Sequence, residues 1–252
     1  MSRKPFLAGN WKMFKTSAQA RQFFSELIKL SPLKDDREVA LAVPFPSLEA
    51  SVAAVADTPI IIAAQNVYFE NEGAFTGEVS APMAAATGAR AVILGHSERR
   101  QFFGDTGAWV NKKLGAALAA GLIPILCLGE SLAEREGGRA FDVLAAQLKE
   151  ALNGFSAADL ASLVIAYEPV WAIGSGKTAT PETAQEAHVF IRRHLAEQLG
   201  DKTAEAARIL YGGSVKPDNI AKLMSQPDID GALAGGASLD AAAFARIINF
   251  DA

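Results

Sequence analysis

From Leu163 to Ala179 the chain reads LVIAYEPVWAIGSGKTA. The run Leu163–Tyr167 is apolar and bounded by turn signals, which suits a strand buried on both faces. Glu168 follows at its tip. Pro169 cannot donate to a strand ladder and biases Glu168 toward an extended backbone, so the carboxylate is fixed at a strand end rather than carried on a swinging loop. Beyond it, VWAIGSGK sets Trp171 and Ile173 among the glycines Gly174 and Gly176. Apolar side chains there make sense if the loop closes over something and excludes water. An ordinary βα loop beside an uninvolved carboxylate is the plain alternative. A P-loop reading of Gly176-Lys177-Thr178 fails, because that motif needs glycine where Trp171 stands.

Working outward, seven more short β-like runs flank this one. The full set is Pro5–Gly9, Val39–Val43, Ile60–Ala64, Ala91–Leu94, Leu122–Cys127, Leu163–Tyr167, Arg208–Tyr211 and Gly231–Ala234. Amphipathic stretches lie between them, among them Ser17–Leu30, Gly107–Ala120, Arg139–Leu152 and Glu182–Leu199. Strict alternation argues for a parallel sheet. Eight units in 252 residues predict an α/β fold, a closed (β/α)8 barrel of eight parallel strands forming one domain over 1–252. No Gly-x-Gly-x-x-Gly follows the first strand, which weakens a dinucleotide-binding alternative.

Composition narrows the partners. Half the residues are hydrophobic and the net charge is −4, which argues against nucleic acid or an anionic membrane surface. A lone cysteine, Cys127, excludes an intramolecular disulfide framework and fits a reducing compartment. Met1–Pro5 is too short for a signal peptide and no apolar run approaches a membrane span, so a soluble, cytoplasmic protein is expected.

In such a barrel the C-terminal ends of the strands face one mouth. Strand one ends at Asn10-Trp11-Lys12, strand four at His96, strand six at Glu168. Strands seven and eight end at Gly212-Gly213-Ser214 and Gly235-Gly236. Glycine pairs ahead of helices let backbone N–H groups approach an anion, and these two loops are where barrels commonly hold phosphate; tight turns alone are the bland alternative. Ser97 and Glu98 suit a helix start, which disfavours an imidazolium at His96 yet leaves a neutral ring able to donate one hydrogen bond. Taken alone, Lys12 reads equally as surface. Cys127 reads as a small buried hydrophobe, while Glu98 and Glu130 read either as helix-start carboxylates or as supports of the site. His188 and His194, six residues apart on one helix, do not stack, and no metal site is expected.

The connection Asn66–Ser80, NVYFENEGAFTGEVS, exceeds the usual βα loop of about 2–6 residues. Tyr68, Phe69 and Phe75 would be poorly placed in water. The loop either docks into a partner subunit, the favoured reading, or packs as an Ω-loop on its own barrel.

The segments GNWKM (Gly9–Met13), AQNVY (Ala64–Tyr68), GHSERR (Gly95–Arg100), AYEPVWAIGSGK (Ala166–Lys177), YGGSVKP (Tyr211–Pro217) and GGASL (Gly235–Leu239) together resemble the triosephosphate isomerase family, in family order from strand one to strand eight. The resemblance implies interconversion of dihydroxyacetone phosphate and glyceraldehyde 3-phosphate without a cofactor. It implies Glu168 as the base, His96 as a neutral electrophile, Lys12 as the stabilising cation and Asn10 as a neighbouring donor. Its phosphate cradle would be the backbone amides of Gly174, Ser214, Gly235 and Gly236, and Pro169–Ala179 its mobile lid; that family is itself a standard example of such pairing and closure. It further implies a homodimer in which Thr76 reaches the other subunit's site. Ser175 where threonine is usual, Ala234 where valine is commoner and Phe14 where a polar residue is more familiar are the departures. Another phosphosugar barrel enzyme, or a catalytically idle barrel, remain the competing readings.

Overall fold

The computed structural model describes residues 3–173 and 178–251. Eight strands follow the chain: β1 Phe6–Asn10, β2 Glu38–Val43, β3 Ile61–Ala64, β4 Ala91–Leu94, β5 Ile123–Leu128, β6 Val164–Tyr167, β7 Arg208–Tyr211 and β8 Gly231–Ala234. They pair in parallel, each with its sequence neighbour, and β8 closes on β1 with Gly9 opposite Ala234. Each expected strand therefore exists, with no end moved by more than one residue.

Helices fill the crossovers: α1 Ser17–Leu30, α2 Leu48–Ala54, α3 Ala81–Ala86, α4 Ser97–Phe102, α5 Gly107–Ala119 and α6 Leu132–Glu136 in the first half. The second half carries α7 Ala140–Leu152, α8 Pro181–Leu199, α9 Asp201–Ala206, α10 Ile220–Met224 and α11 Ala241–Ile248. Their starts follow local chemistry. Thr16 and Ser131 complete capping boxes with Gln19 and Glu134. Thr180 caps α8 just ahead of Pro181, whose fixed φ suits a first helical position.

Strand residues alternate between two apolar clusters. Phe6, Ala8, Ile93, Ile125, Val164, Ala166 and Leu233 fill the barrel interior. Leu7, Leu94, Leu126, Ile165, Tyr167 and Ala234 pack outward beneath the helices. Because both faces are buried, the strands read as continuous apolar runs. The same alternation aims the mouth. Asn10 continues the inward set Phe6 and Ala8, and Glu168 continues Val164 and Ala166.

A polar network ties the opposite, N-terminal ends of the strands. Arg192 on α8 donates to Asp228 at 2.6 Å and to Asp230 at 2.6 Å. Asp230 also accepts the Ile209 N–H at 2.9 Å and pairs with Arg3. His188, one turn before Arg192, donates through Nδ1 to the Asp228 carbonyl at 3.1 Å. Among the described residues no helix is long and apolar enough to cross a membrane.

Tyr68 and Phe69 in the long loop stack at 4.2 Å, and Phe75 lies 4.7 Å from Tyr68. Trp109 of α5 meets Phe69 edge-on at 5.4 Å, and the Lys112 ammonium lies over Phe69. The loop's aromatic residues thus find much of their packing within their own chain, while Phe75 stays 40% exposed.

Candidate active site

A cavity of about 420 Å³ opens at the C-terminal ends of the strands. Asn10, Lys12, His96, Glu168, Ser214, Gly235 and Gly236 all line it, so these expected residues share one space although they span the whole chain. Gly174 lies outside the described residues, as does the centre of the expected lid; Ile173 at its near edge also lines the cavity.

Glu168 is 2% exposed and its backbone is pinned on two sides. Its N–H donates to the Leu128 carbonyl at 2.7 Å, and the Gly212 N–H donates to the preceding carbonyl, of Tyr167, at 2.7 Å. One carboxylate oxygen meets His96 Nε2 at 2.9 Å. The other accepts the Ser97 N–H at 2.9 Å. Burial alone would raise this carboxyl's pKa, but His96 and the Ser97 amide favour the charged form and hold it below its ordinary value. The Glu168 carboxylate is therefore ionised although almost fully buried.

His96 caps α4, and its Nδ1 accepts the Glu98 N–H at 3.2 Å. That bond requires an unprotonated Nδ1, so the ring's single proton sits on Nε2, facing Glu168. Burial disfavours an imidazolium, while the Glu168 charge pulls the other way and lifts the pKa above its ordinary value. The Nδ1 bond nevertheless selects the neutral tautomer: a second proton would have to displace a backbone donor.

Lys12 follows Asn10 with φ of +53°, a left-handed conformation uncommon for lysine. The Asn10 Oδ1 accepts the Lys12 N–H at 2.9 Å, and Gln65 Nε2 donates to the Lys12 carbonyl at 2.9 Å. These bonds hold the turn and turn the side chain into the mouth, where Nζ meets Glu98 at 2.5 Å. Glu98 thus resolves as the partner of Lys12. Glu130 resolves differently. It is fully buried, and one oxygen accepts from Tyr167 at 3.0 Å, Trp171 at 2.8 Å and Arg135 at 3.1 Å.

The glycine turns have steric reasons of their own. A Cβ on Gly213 would come 2.3 Å from the Tyr211 hydroxyl, and one on Gly212 would press Glu168 Cγ at 3.0 Å. Gly235 opens a short helical turn, Gly236–Leu239, and a Cβ on Gly236 would meet nothing within 4 Å, so that position faces open space. Cys127 is buried as expected. Burial, and then the charge of Glu168, push its thiol well above the ordinary value, which keeps it protonated and unreactive. The backbone amide of Ser97 as a holder of the carboxylate was not part of the sequence reading; its only signal was a helix start beside His96.

The arrangement defines a class: a parallel (β/α)8 barrel whose mouth sets an ionised carboxylate against a neutral imidazole and a lysine, with glycine-rich turns at the seventh and eighth strands. Such a site can move a proton on a small phosphorylated or otherwise anionic compound. A family model described as triosephosphate isomerase matches residues 5–251, and the chain belongs to that family. Relatives named triosephosphate isomerase include one from Geobacter metallireducens, 54% identical over 99% of this chain and 100% of its own length. One from Chloroflexus aurantiacus is 54% identical over 98% of this chain and 99% of its own. A third, from Moorella thermoacetica, is 54% identical over 99% of each.

Proposed function

We propose that this chain interconverts dihydroxyacetone phosphate and D-glyceraldehyde 3-phosphate by proton transfer through an enediolate. The observation that carries the reading is the Glu168–His96 pair, 2.9 Å apart and buried, at a mouth that also holds Lys12 and the glycine turns. Glu168, ionised, takes a proton from C1 of the ketose and returns it to C2, while the hydroxyl proton on O1 passes to O2 by way of His96 Nε2. His96 donates its Nε2–H to the carbonyl oxygen, so that negative charge developing there meets a positioned donor. A neutral ring does this without handing over a whole proton early. Lys12 and the Asn10 amide supply further positive potential toward that oxygen and the phosphate. Backbone amides at Gly174, Ser214, Gly235 and Gly236 bind the phosphate. Glu168 Oε1 and His96 Nε2 now hold each other, so substrate must part them, and apo contacts of this kind rearrange when a substrate arrives. Shifting a proton between adjacent carbons needs no redox group.

The reading includes a homodimer built on the Asn66–Ser80 loop, with Thr76 reaching the partner's site. Supporting it, Met13, Phe14, Phe75, Met83, Phe102 and Phe103 are large apolar residues left exposed, and all follow β1, β3 or β4 at the end where the mouth lies. A cytoplasmic location accords with the single, free cysteine. A coupled isomerase assay on the purified protein, fed either triose phosphate, tests the whole reading. Absence of turnover in both directions refutes it.

A further inference from the structure

The backbone that carries Glu168 is pinned by a short bridge from the end of β5. Glu168 N–H donates to the Leu128 carbonyl at 2.7 Å, and Val170 N–H donates to the Glu130 carbonyl at 3.1 Å. The residue between those two carbonyls is Gly129. It lies so close to the base that a Cβ there would come within 1.7 Å of the Glu168 carbonyl oxygen. Only glycine fits, and it must stay where it is if Glu168 is to stay where it is.

On its other side Gly129 pairs with no strand among the described residues. Its N–H donates instead to Gln147 Oε1 at 2.9 Å, and its carbonyl accepts from Gln147 Nε2 at 3.0 Å. One primary amide on α7 thus satisfies both backbone groups of a residue 18 positions earlier, as a neighbouring strand would. Gln147 also shares with Ser97 and Glu168 the lining of a cavity of about 370 Å³ behind the base. From there it faces the reverse side of the mouth and lines no part of the substrate cavity.

We propose that Gln147 is a positioning residue for the isomerisation: its amide holds Gly129, and through Gly129 the Leu128–Glu130 bridge, so that the Glu168 carboxylate keeps its place. The inference rests on Glu168 being the base. Without the clamp, residue 129 loses both partners on one side, and the segment relaxes away from β6 by a fraction of an ångström. A displacement of about 1 Å can cost about 10²-fold in rate, so a shift of that smaller size should cost about tenfold. The phosphate turns at β7 and β8 are not touched.

The test uses Gln147→Met, which keeps the length and loses both hydrogen bonds, and Gln147→Glu, which keeps an acceptor for the Gly129 N–H and loses the donor to its carbonyl. In the coupled assay kcat should fall about tenfold for the methionine variant and about threefold for the glutamate variant. KM and competitive inhibition by inorganic phosphate should stay within twofold of the parent. Thermal unfolding of each variant is followed alongside, and the glutamate variant carries the test if the methionine variant does not fold. An unchanged kcat in folded variants overturns the inference, even if their unfolding midpoints drop. So does a loss of phosphate inhibition in step with kcat. A parent protein with no isomerase activity refutes instead the assignment of Glu168, and the inference falls with it.

Discussion

Replacing His188 by glutamine should flatten the loss of stability that acid brings to this protein. His188 is fully buried, with one ring nitrogen bonded to the Asp228 carbonyl and the Tyr167 ring edge-on at 5.9 Å. Nδ1 carries the proton for that bond, so a second proton would have to go on the buried Nε2, which makes no hydrogen bond of good geometry among the described residues. Burial is the chief cause that pushes the ring down to about 4, and the neighbouring Arg192 charge adds to it. In the unfolded chain the ring titrates near its ordinary 6.5. A histidine depressed in this way binds its proton more readily when unfolded. Its contribution is therefore intact above about pH 6.5, shrinks as pH falls toward 4, and changes no further below that. Between pH 7 and pH 4.5 the loss is on the order of 2–3 kcal/mol, since each unit of difference is worth more than 1 kcal/mol. Urea unfolding followed by circular dichroism, at one fixed protein concentration, measures it in parent and His188→Gln. The comparison is between slopes with pH, so a variant that is weaker at every pH still reports. Every exposed carboxylate titrates alike in both proteins and cancels. If the two proteins lose the same stability over that range, the buried neutral ring is not what acid attacks.

Three further outcomes follow from the mouth and the loop. Glu168→Asp should withdraw the carboxylate by about 1.5 Å, one C–C bond, because the pinned backbone cannot follow; turnover should fall about 10²-fold with KM little changed, and equal turnover would remove Glu168 from the mechanism. Lys12→Met should raise KM and lower kcat together and weaken inhibition by inorganic phosphate, read from saturation curves; an unaltered KM would leave Lys12 as a mere partner for Glu98. Trimming Glu70–Gly77 to a short turn should give a monomer with little activity, and sedimentation showing a fully active monomer would refute the dimer as the working unit.

What the sequence made legible was the placing of elements and of the residues at their ends. Leu163–Tyr167 reads as a buried strand because both of its faces meet apolar neighbours, and Pro169 marks where it must stop. The alternation of clusters then puts Glu168 and Asn10 on the inward set without further information. Contacts between distant residues left no such trace. Gln147 is an ordinary polar residue on an amphipathic helix, and nothing local tells that its amide reaches Gly129. Glu98 and Glu130 look alike as carboxylates at helix starts, yet one meets Lys12 and the other is sealed beneath Tyr167 and Trp171. The aromatic residues of Asn66–Ser80 announced a need for burial, but the sequence does not reveal that Trp109, on a different helix, meets part of it.

The network of Arg3, Arg192, Asp228 and Asp230 sits at one end of the barrel and the cavity at the other, joined by strands whose side chains are already packed on both faces. Changes at the two ends therefore fall on different traits. A lineage meeting acid or heat can revise the lower network and leave turnover alone, while one meeting a new phosphorylated compound can revise the mouth with the barrel still shut beneath it. Heritable variation in durability and in chemistry can accumulate independently, which lets selection on one proceed without undoing the other.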